Sequence, residues 1–331
     1  MKFTSIIGID VSKHTLDAVS HQGGIYKQFQ NSNQGYKQLV KWAEKTRESD
    51  KGKQLFCFEH TGLYSLPLSI FLAENNLLFC AVSALEIKRS LGLKRGKSDR
   101  IDARSIARYA YLRRAELKPS PQPSKTLLKL QHLISLRRRM VKQCSGFKAA
   151  MNEQKMFLET KENEVLFHVQ QDMINQLNFN ISQIETEIKQ IISDDERLNE
   201  YYQLIITVKG VGMVLATHLL VYTQCFTRFK SWRQFACYCG VAPFERQSGI
   251  SLNARKHVHY LANKKIKTLL NLSACSAILC DPELKSYYSK RVASGHSKMS
   301  TINIIRNKIL SRVFAVAKRK TPYVIMENYA A

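Results

Sequence analysis

The sequence predicts an α/β region followed by α structure: a mixed sheet with flanking helices, a helical coiled-coil segment, and a mostly helical C-terminal domain. Three observations predict it. A hairpin-joined opening gives way to alternating strand and helix patterns as far as about residue 116. The stretch Lys118-Pro119-Ser120-Pro121-Gln122-Pro123-Ser124 holds three of the chain's seven prolines, so it is no helix interior and reads as a linker. Beyond it, apolar residues recur in steps of three and four.

Each element has its own signal. Residues 4–9 form an apolar run that reads as a buried strand. Leu16 to His21 and Ile25 to Gln30 alternate around Gly23-Gly24, a hairpin signature. Tyr36, Leu39, Val40 and Trp42 fall at helical spacing within 33–46. Gln54 to Glu59 is a strand, Leu68 to Leu72 lies in a helix, Leu78 to Val82 is a strand, and basic helical segments follow. After the prolines, Lys125 to Glu159 is one long helix. A second carries Ile174, Leu177, Ile181, Ile184, Ile188 and Ile191, a heptad seam. That seam serves either a second chain, making a dimer, or the preceding helix of the same chain. From about Leu198 the pattern is helical and strongly basic. The predicted divisions are 1–118, 119–197 and 198–331.

Charge narrows the partner. The chain of 331 residues has 51 Lys and Arg against 26 Asp and Glu, a net charge of +25. That favours a polyanion, with DNA or RNA first. No stretch is long enough to span a bilayer, and the N-terminal apolar run is broken at Asp10, which excludes a signal peptide. The eight cysteines read as small core hydrophobes. Cys237 and Cys239 with His257 and His259 have the wrong spacing for a structural zinc site.

In so basic a chain the placement of acids carries information. Asp10 ends the first apolar run, Glu59 ends another, and Asp99 and Asp102 stand three apart in the most basic stretch of the N-terminal half. Residues at that spacing share a helix face. Carboxylates gathered at one place repel unless a cation joins them. Divalent ions held by carboxylates promote phosphoryl transfer, and Mg²⁺, with Mn²⁺ as substitute, needs few protein ligands. Taken singly, Asp99 also reads as a helix cap and Asp102 as a partner of Arg100 or Arg104.

Three blocks carry a resemblance: Gly8-Ile9-Asp10-Val11-Ser12-Lys13; Glu59 with Thr61, Gly62 and Tyr64; and Lys97-Ser98-Asp99 with Asp102-Ala103 and Ile106-Ala107. In this order they resemble the signature blocks of the DEDD transposases of insertion-sequence family 110, which include pilin-gene-inverting recombinases. A fourth block, Cys239-Gly240-Val241-Ala242-Pro243 through Ser248-Gly249, is similar to that family's C-terminal domain. His60 stands where the family usually has a small residue, and the usual Gly-rich run after the serine is missing.

The resemblance implies a RuvC-like, RNase H-type domain in residues 1–118 that binds metal through Asp10, Glu59, Asp99 and Asp102. It implies a C-terminal transposase domain in 198–331 whose nucleophile is Ser248. A serine ester stores the energy of the cut phosphodiester for rejoining. Local sequence alone also reads Ser248 as a turn residue, and Ser251 is a neighbouring competitor. The resemblance further implies donor and target DNA as partners, a structured bridge RNA that chooses them, and a tetramer of dimers paired through the coiled coil. The expected location is the cytoplasm of a bacterium or archaeon. A different enzyme class, a RuvC-like junction endonuclease in which water attacks, uses the same acids and leaves Ser248 structural. A third reading is a non-catalytic nucleic-acid-binding protein, against which the intact acids and serine stand.

For nucleic-acid contacts the sequence offers Lys13, Lys88, Arg89, Lys94, Arg95, Lys97 and Arg100 around the acids. In the second half it offers Lys209, Gly210 and Gly212 of a helix-hairpin-helix-like segment, Arg246, Lys264 and Lys265. Lys267, Arg306, Lys308 and Arg312 extend that set. Tyr109, Tyr111, Tyr287 and Tyr288 read either as base-stacking or as packing aromatics.

Overall fold

The computed structural model describes residues 3–47, 52–90, 92, 98–248, 252–258 and 260–324, and only the backbone of 245–248 and 252–257. It divides into two compact units, Met1–Ser124 and Lys125–Ala331.

The first unit is a five-stranded sheet with helices on both faces. Its elements are β1 (Phe3–Val11), β2 (Thr15–Ser20), β3 (Tyr26–Gln30), α1 (Asn33–Lys45), β4 (Lys53–Glu59), α2 (Leu66–Glu74), β5 (Phe79–Val82), α3 (Ala84–Ser90) and α4 (Asp99–Leu112). The strand order is β3-β2-β1-β4-β5. The first three strands are antiparallel, and β1, β4 and β5 run parallel. This is the expected RNase H-like arrangement. The hairpin turn works because Gly23 and Gly24 take positive φ, 74° and 63°. Alternation then sorts the side chains. Ile7, Ile9, Phe56 and Phe58 face α1 and α2. Ile6, Leu55, Cys57 and Cys80 face α3 and α4.

The predicted linker is only partly free. The Ser120 amide donates to the Phe79 carbonyl at 2.7 Å, and the Ala81 amide donates to Ser120 Oγ at 3.0 Å. Lys118 to Ser120 therefore covers the open edge of β5, a position where proline's missing N–H does no harm.

The second unit is mostly helical: α5 (Lys125–Gln154), α6 (Glu164–Asp194), α7 (Glu196–Ile206), α8 (Met213–Thr223), α9 (Trp232–Cys239), β6 (Phe244–Ser248), β7 (Leu252–His257), α10 (Lys264–Cys280), α11 (Pro282–Ala293) and α12 (Lys298–Arg319). The isoleucine seam of α6 is filled by α5 of the same chain. Ile174 and Leu177 pack with Cys144 and Met151, and Ile184, Ile188 and Ile191 pack with Leu130 and Ile134. Arg137–Glu185 and Lys129–Glu187 pairs, both 2.6 Å, flank the contact. The base of this hairpin shares one core with α7 to α12. The β6–β7 ribbon was not expected from sequence. No helix among the described residues is long and apolar enough to cross a membrane.

Candidate active site

The register of the first sheet brings the first two acids together. β1 and β4 pair in parallel with Ile9 beside Phe58, so Asp10 and Glu59 stand side by side at the two strand ends. Both side chains fall on the α4 face, by the alternation that puts Ile9 and Phe58 on the other.

Gly8 delivers the other two. A Cβ at Gly8 would lie 2.2 Å from the Ala107 amide nitrogen and 2.6 Å from the Ala103 carbonyl oxygen. No side chain fits there, so the absence of one, with two alanines opposite, lets α4 lie directly on β1. The helix start, one turn before Ala103, is thereby carried to the end of β1. Ser98 is the cap, accepting from the Ile101 amide at 3.3 Å. Asp99 is thus freed from the capping role, and both aspartates occupy the first turn, where the helix dipole favours negative charge. Neither aspartate pairs with Arg100 or Arg104 among the described residues.

The electrostatics record this convergence. The Asp10 carboxyl is pushed up to about 6, by burial first and then by Asp102, Asp99, Glu59 and Asp17. Glu59 is raised by burial and by Asp102.

Asp17 was not singled out from sequence. It is the cross-strand partner of Asp10 and is 1% exposed. Tyr26 donates its hydroxyl to Asp17 Oδ1 at 2.5 Å, and Gln28 Nε2 donates to the same oxygen at 3.1 Å. The signal was present: a tight turn between Val11 and Leu16 puts residues 10 and 17 opposite each other on one face.

All these groups are carboxylates, the hard oxygen donors that suit Mg²⁺ rather than a softer metal. Their mutual opposition to ionisation is what a cation relieves, so in chemical kind they suit such an ion. Among the described residues, however, no three His, Cys, Asp or Glu side chains stand in metal-holding geometry. The acids converge without being drawn into a cage; of the cysteine and histidine set, the side chain of His257 and all of His259 lie outside what is described. Thr61, two residues past Glu59, keeps a buried hydroxyl with no partner among the described residues.

Ser248 is the last residue of β6, and its backbone pairs with Leu252. Its side chain and that of Arg246 lie outside what is described, as do Gly249, Ser251 and His259 altogether.

The predicted nucleic-acid contacts divide. Lys13 is exposed in the β1–β2 turn, and Lys88 and Arg89 are exposed on α3. Lys94, Arg95 and Lys97 lie outside the described residues. Arg100 stacks over Tyr26, 5.1 Å from the ring centre. Lys209, Lys264 and Lys265 are exposed, the latter two in the first turn of α10. Gly210 has a packing reason for being glycine: its φ is 84°, and a Cβ would lie 2.6 Å from the Ser273 carbonyl oxygen. Ser273 Oγ also donates to the Gly210 carbonyl at 2.6 Å. Gly212 caps α8.

Three of the further candidate cations are committed elsewhere. Arg306 is buried and donates to Asn271 and Asn303. Arg312 pairs with buried Asp281 at 2.6 Å and with Glu283, which also takes Lys308 at 3.5 Å. Tyr109 is core, its hydroxyl on Glu86 at 2.6 Å. Tyr287 packs under Lys308.

With this geometry in hand, likeness to known proteins is informative. A family model for DEDD transposases of IS110, described as "Transposase", matches residues 7–155. A second, described as "Transposase IS116/IS110/IS902 family", matches residues 202–289. The first span contains all four acids, and the second contains Ser248. The chain is 28% identical over 324 residues to a pilin gene-inverting protein of Moraxella bovis, covering 96% of this chain and 97% of that one. A pilin gene-inverting protein of Moraxella lacunata matches to the same extent. A 43.6 kDa protein of insertion element IS110 from Streptomyces coelicolor is 28% identical over 120 residues, 36% of this chain and 29% of its own.

Proposed function

The chain belongs to the IS110 family of DEDD transposases, enzymes of DNA transposition and inversion, and we propose that it cuts and rejoins DNA through a phosphoserine intermediate at Ser248. The observation that carries the reading is the convergence of Asp99, Asp102 and Glu59 on Asp10, whose pKa burial first and these carboxylates second raise to about 6. Such a site exists to hold positive charge.

Asp10, Glu59, Asp99 and Asp102 would hold one or two Mg²⁺ ions, with Mn²⁺ as substitute. The chemistry such an ion would supply there is neutralisation of charge on the attacked phosphate and the leaving oxygen. Asp17, fixed by Tyr26 and Gln28 of β3, ties β3 to β2 beside Asp10 and adds negative charge next to the ligand set. Gly8 and the alanines of α4 keep the two halves of that set in register.

In the cleavage step the Ser248 hydroxyl loses its proton and its oxygen bonds to phosphorus. One P–O ester bond of the strand breaks, and the departing oxygen takes up a proton. In rejoining, the hydroxyl end of a new strand attacks the phosphoserine and restores Ser248. No bond energy is lost, so no nucleotide cofactor is required.

The finer parts of the reading go together. Residues 1–118 supply the acids, 119–197 the spacer and hairpin, and 198–331 the serine. The acids of one subunit serve the serine of another in a tetramer of dimers, with a bridge RNA choosing donor and target DNA in the cytoplasm. Because α5 covers the isoleucine seam, a dimer through the hairpin uses its outward apolar side chains, such as Val169 and Phe179.

The test is a labelled DNA carrying the element's end, incubated with the wild type and analysed on a denaturing gel. A protein-linked DNA species should form with the wild type and be absent with Ser248→Ala. Cleavage by the wild type without any adduct, or a normal adduct from Ser248→Ala, contradicts the serine route and leaves water as the nucleophile.

A further inference from the structure

One face of α4 carries Arg100, Arg104 and Arg108, a turn apart, and all three are exposed. Like charges at this spacing oppose helix formation unless something neutralises them. No Asp or Glu does so: among the described residues Arg104 and Arg108 enter no ion pair.

The three side chains follow the seam between α4 and the β2–β3 hairpin. Arg100 lies over the Tyr26 ring. Arg104 reaches the hairpin turn, its Nη2 4.0 Å from where a Gly24 side chain would begin. Arg108 stands near His21, which is held neutral more readily by burial and by Arg114 and Arg108. His21 in turn stacks on Tyr111 at 4.0 Å, and Arg114 caps that ring at 4.0 Å. The result is a continuous basic band with flat rings along it, starting beside the four acids and running to the far end of the helix.

We propose that this band is a DNA track: Arg100, Arg104 and Arg108 hold phosphates spaced along the strand whose scissile phosphate lies at the acids. The arginines span about 12 Å, from a rise of ~1.5 Å per residue. That is the axial length of roughly three to four phosphates of one duplex strand, at ~3.4 Å each. The track holds backbone and reads no sequence. The Tyr26 ring holds the Arg100 guanidinium against the hairpin. This inference rests on the DNA-recombining reading above, and extends it to the path the strand takes.

The experiment is a salt titration of full-length protein on a fluorescent DNA duplex of arbitrary sequence, read by anisotropy in an Asp10→Asn background so that no cutting intervenes. The double variant Arg104→Gln/Arg108→Gln should weaken binding and lower the slope of log K against log salt by about two, near 0.9 per lost phosphate contact. The control Lys37→Gln/Lys41→Gln, on exposed α1 positions of the same unit, should leave the slope unchanged. Glutamine keeps the helix, and thermal unfolding checks that it does. An unchanged slope overturns the track. So does a slope lost equally in the control, or one lost on an RNA hairpin but kept on DNA. The titration needs no chemistry at Ser248, so failure of the serine route and failure of the track are read separately.

Discussion

At neutral pH Asp10 carries a charge that its surroundings oppose. Its pKa lies near 6 where an ordinary aspartate has 3.8, through burial first and neighbouring carboxylates second. A raised folded-state pKa means that the folded chain binds the proton more tightly than the unfolded one. The metal-free protein should therefore lose stability as pH rises from about 4 through 6. Asp10→Asn should remove that segment of the pH profile and unfold later than the wild type at pH 7 in a chelator. Thermal unfolding at pH 4, 5, 6 and 7 checks this; a wild type whose stability is flat or rises over that window contradicts it. Metal binding has the opposite slope, because it must displace the proton. At this scale much was legible from sequence. Acids at strand ends announced themselves, while Asp17 needed the register of β1 on β2. Arg306 and Arg312 could not be told from surface cations, because their partners Asn271 and Asp281 come from helices some thirty residues away.

Elements position these residues, and α4 on β1 is the contact that matters most. The close approach at Gly8 is to backbone atoms of Ala103 and Ala107, which cannot rotate away. Gly8→Ala must therefore lift α4 off the strand and carry Asp99 and Asp102 with it. A stability loss of about 1–3 kcal/mol is expected from such overpacking, with DNA cleavage lost beyond what the unfolded fraction explains. Urea unfolding and a cleavage assay on the same preparation check this. Unchanged stability and activity would mean that α4 does not set the site. The strand and helix periods foretold β1 to β5 and the long helices, because burial on one face leaves a regular imprint. The β6–β7 ribbon left none. Glu245-Arg246-Gln247 has no apolar alternation, so nothing in the local sequence marks a strand. The α6 seam was legible as a seam, yet its partner was not, since α5 and a second chain offer the same apolar chemistry.

The whole molecule joins two units, each with its own core, and the proposed serine route draws on both. The acids belong to the first, and Ser248 belongs to the second, beyond the prolines and the long hairpin. The net charge of +25 suits a DNA substrate, and it makes the placement of the few acids informative. The account's central claim is that the four acids of the first unit are the metal-dependent centre for cutting DNA. The direct measurement is cleavage of element-end DNA by wild type and Asp10→Asn, each with Mg²⁺ and with a chelator, alongside a binding assay. The account predicts cutting by the wild type only when Mg²⁺ is present, and none by Asp10→Asn although it still binds DNA. Cutting by Asp10→Asn at the wild-type rate, or by the wild type in the chelator, would contradict it.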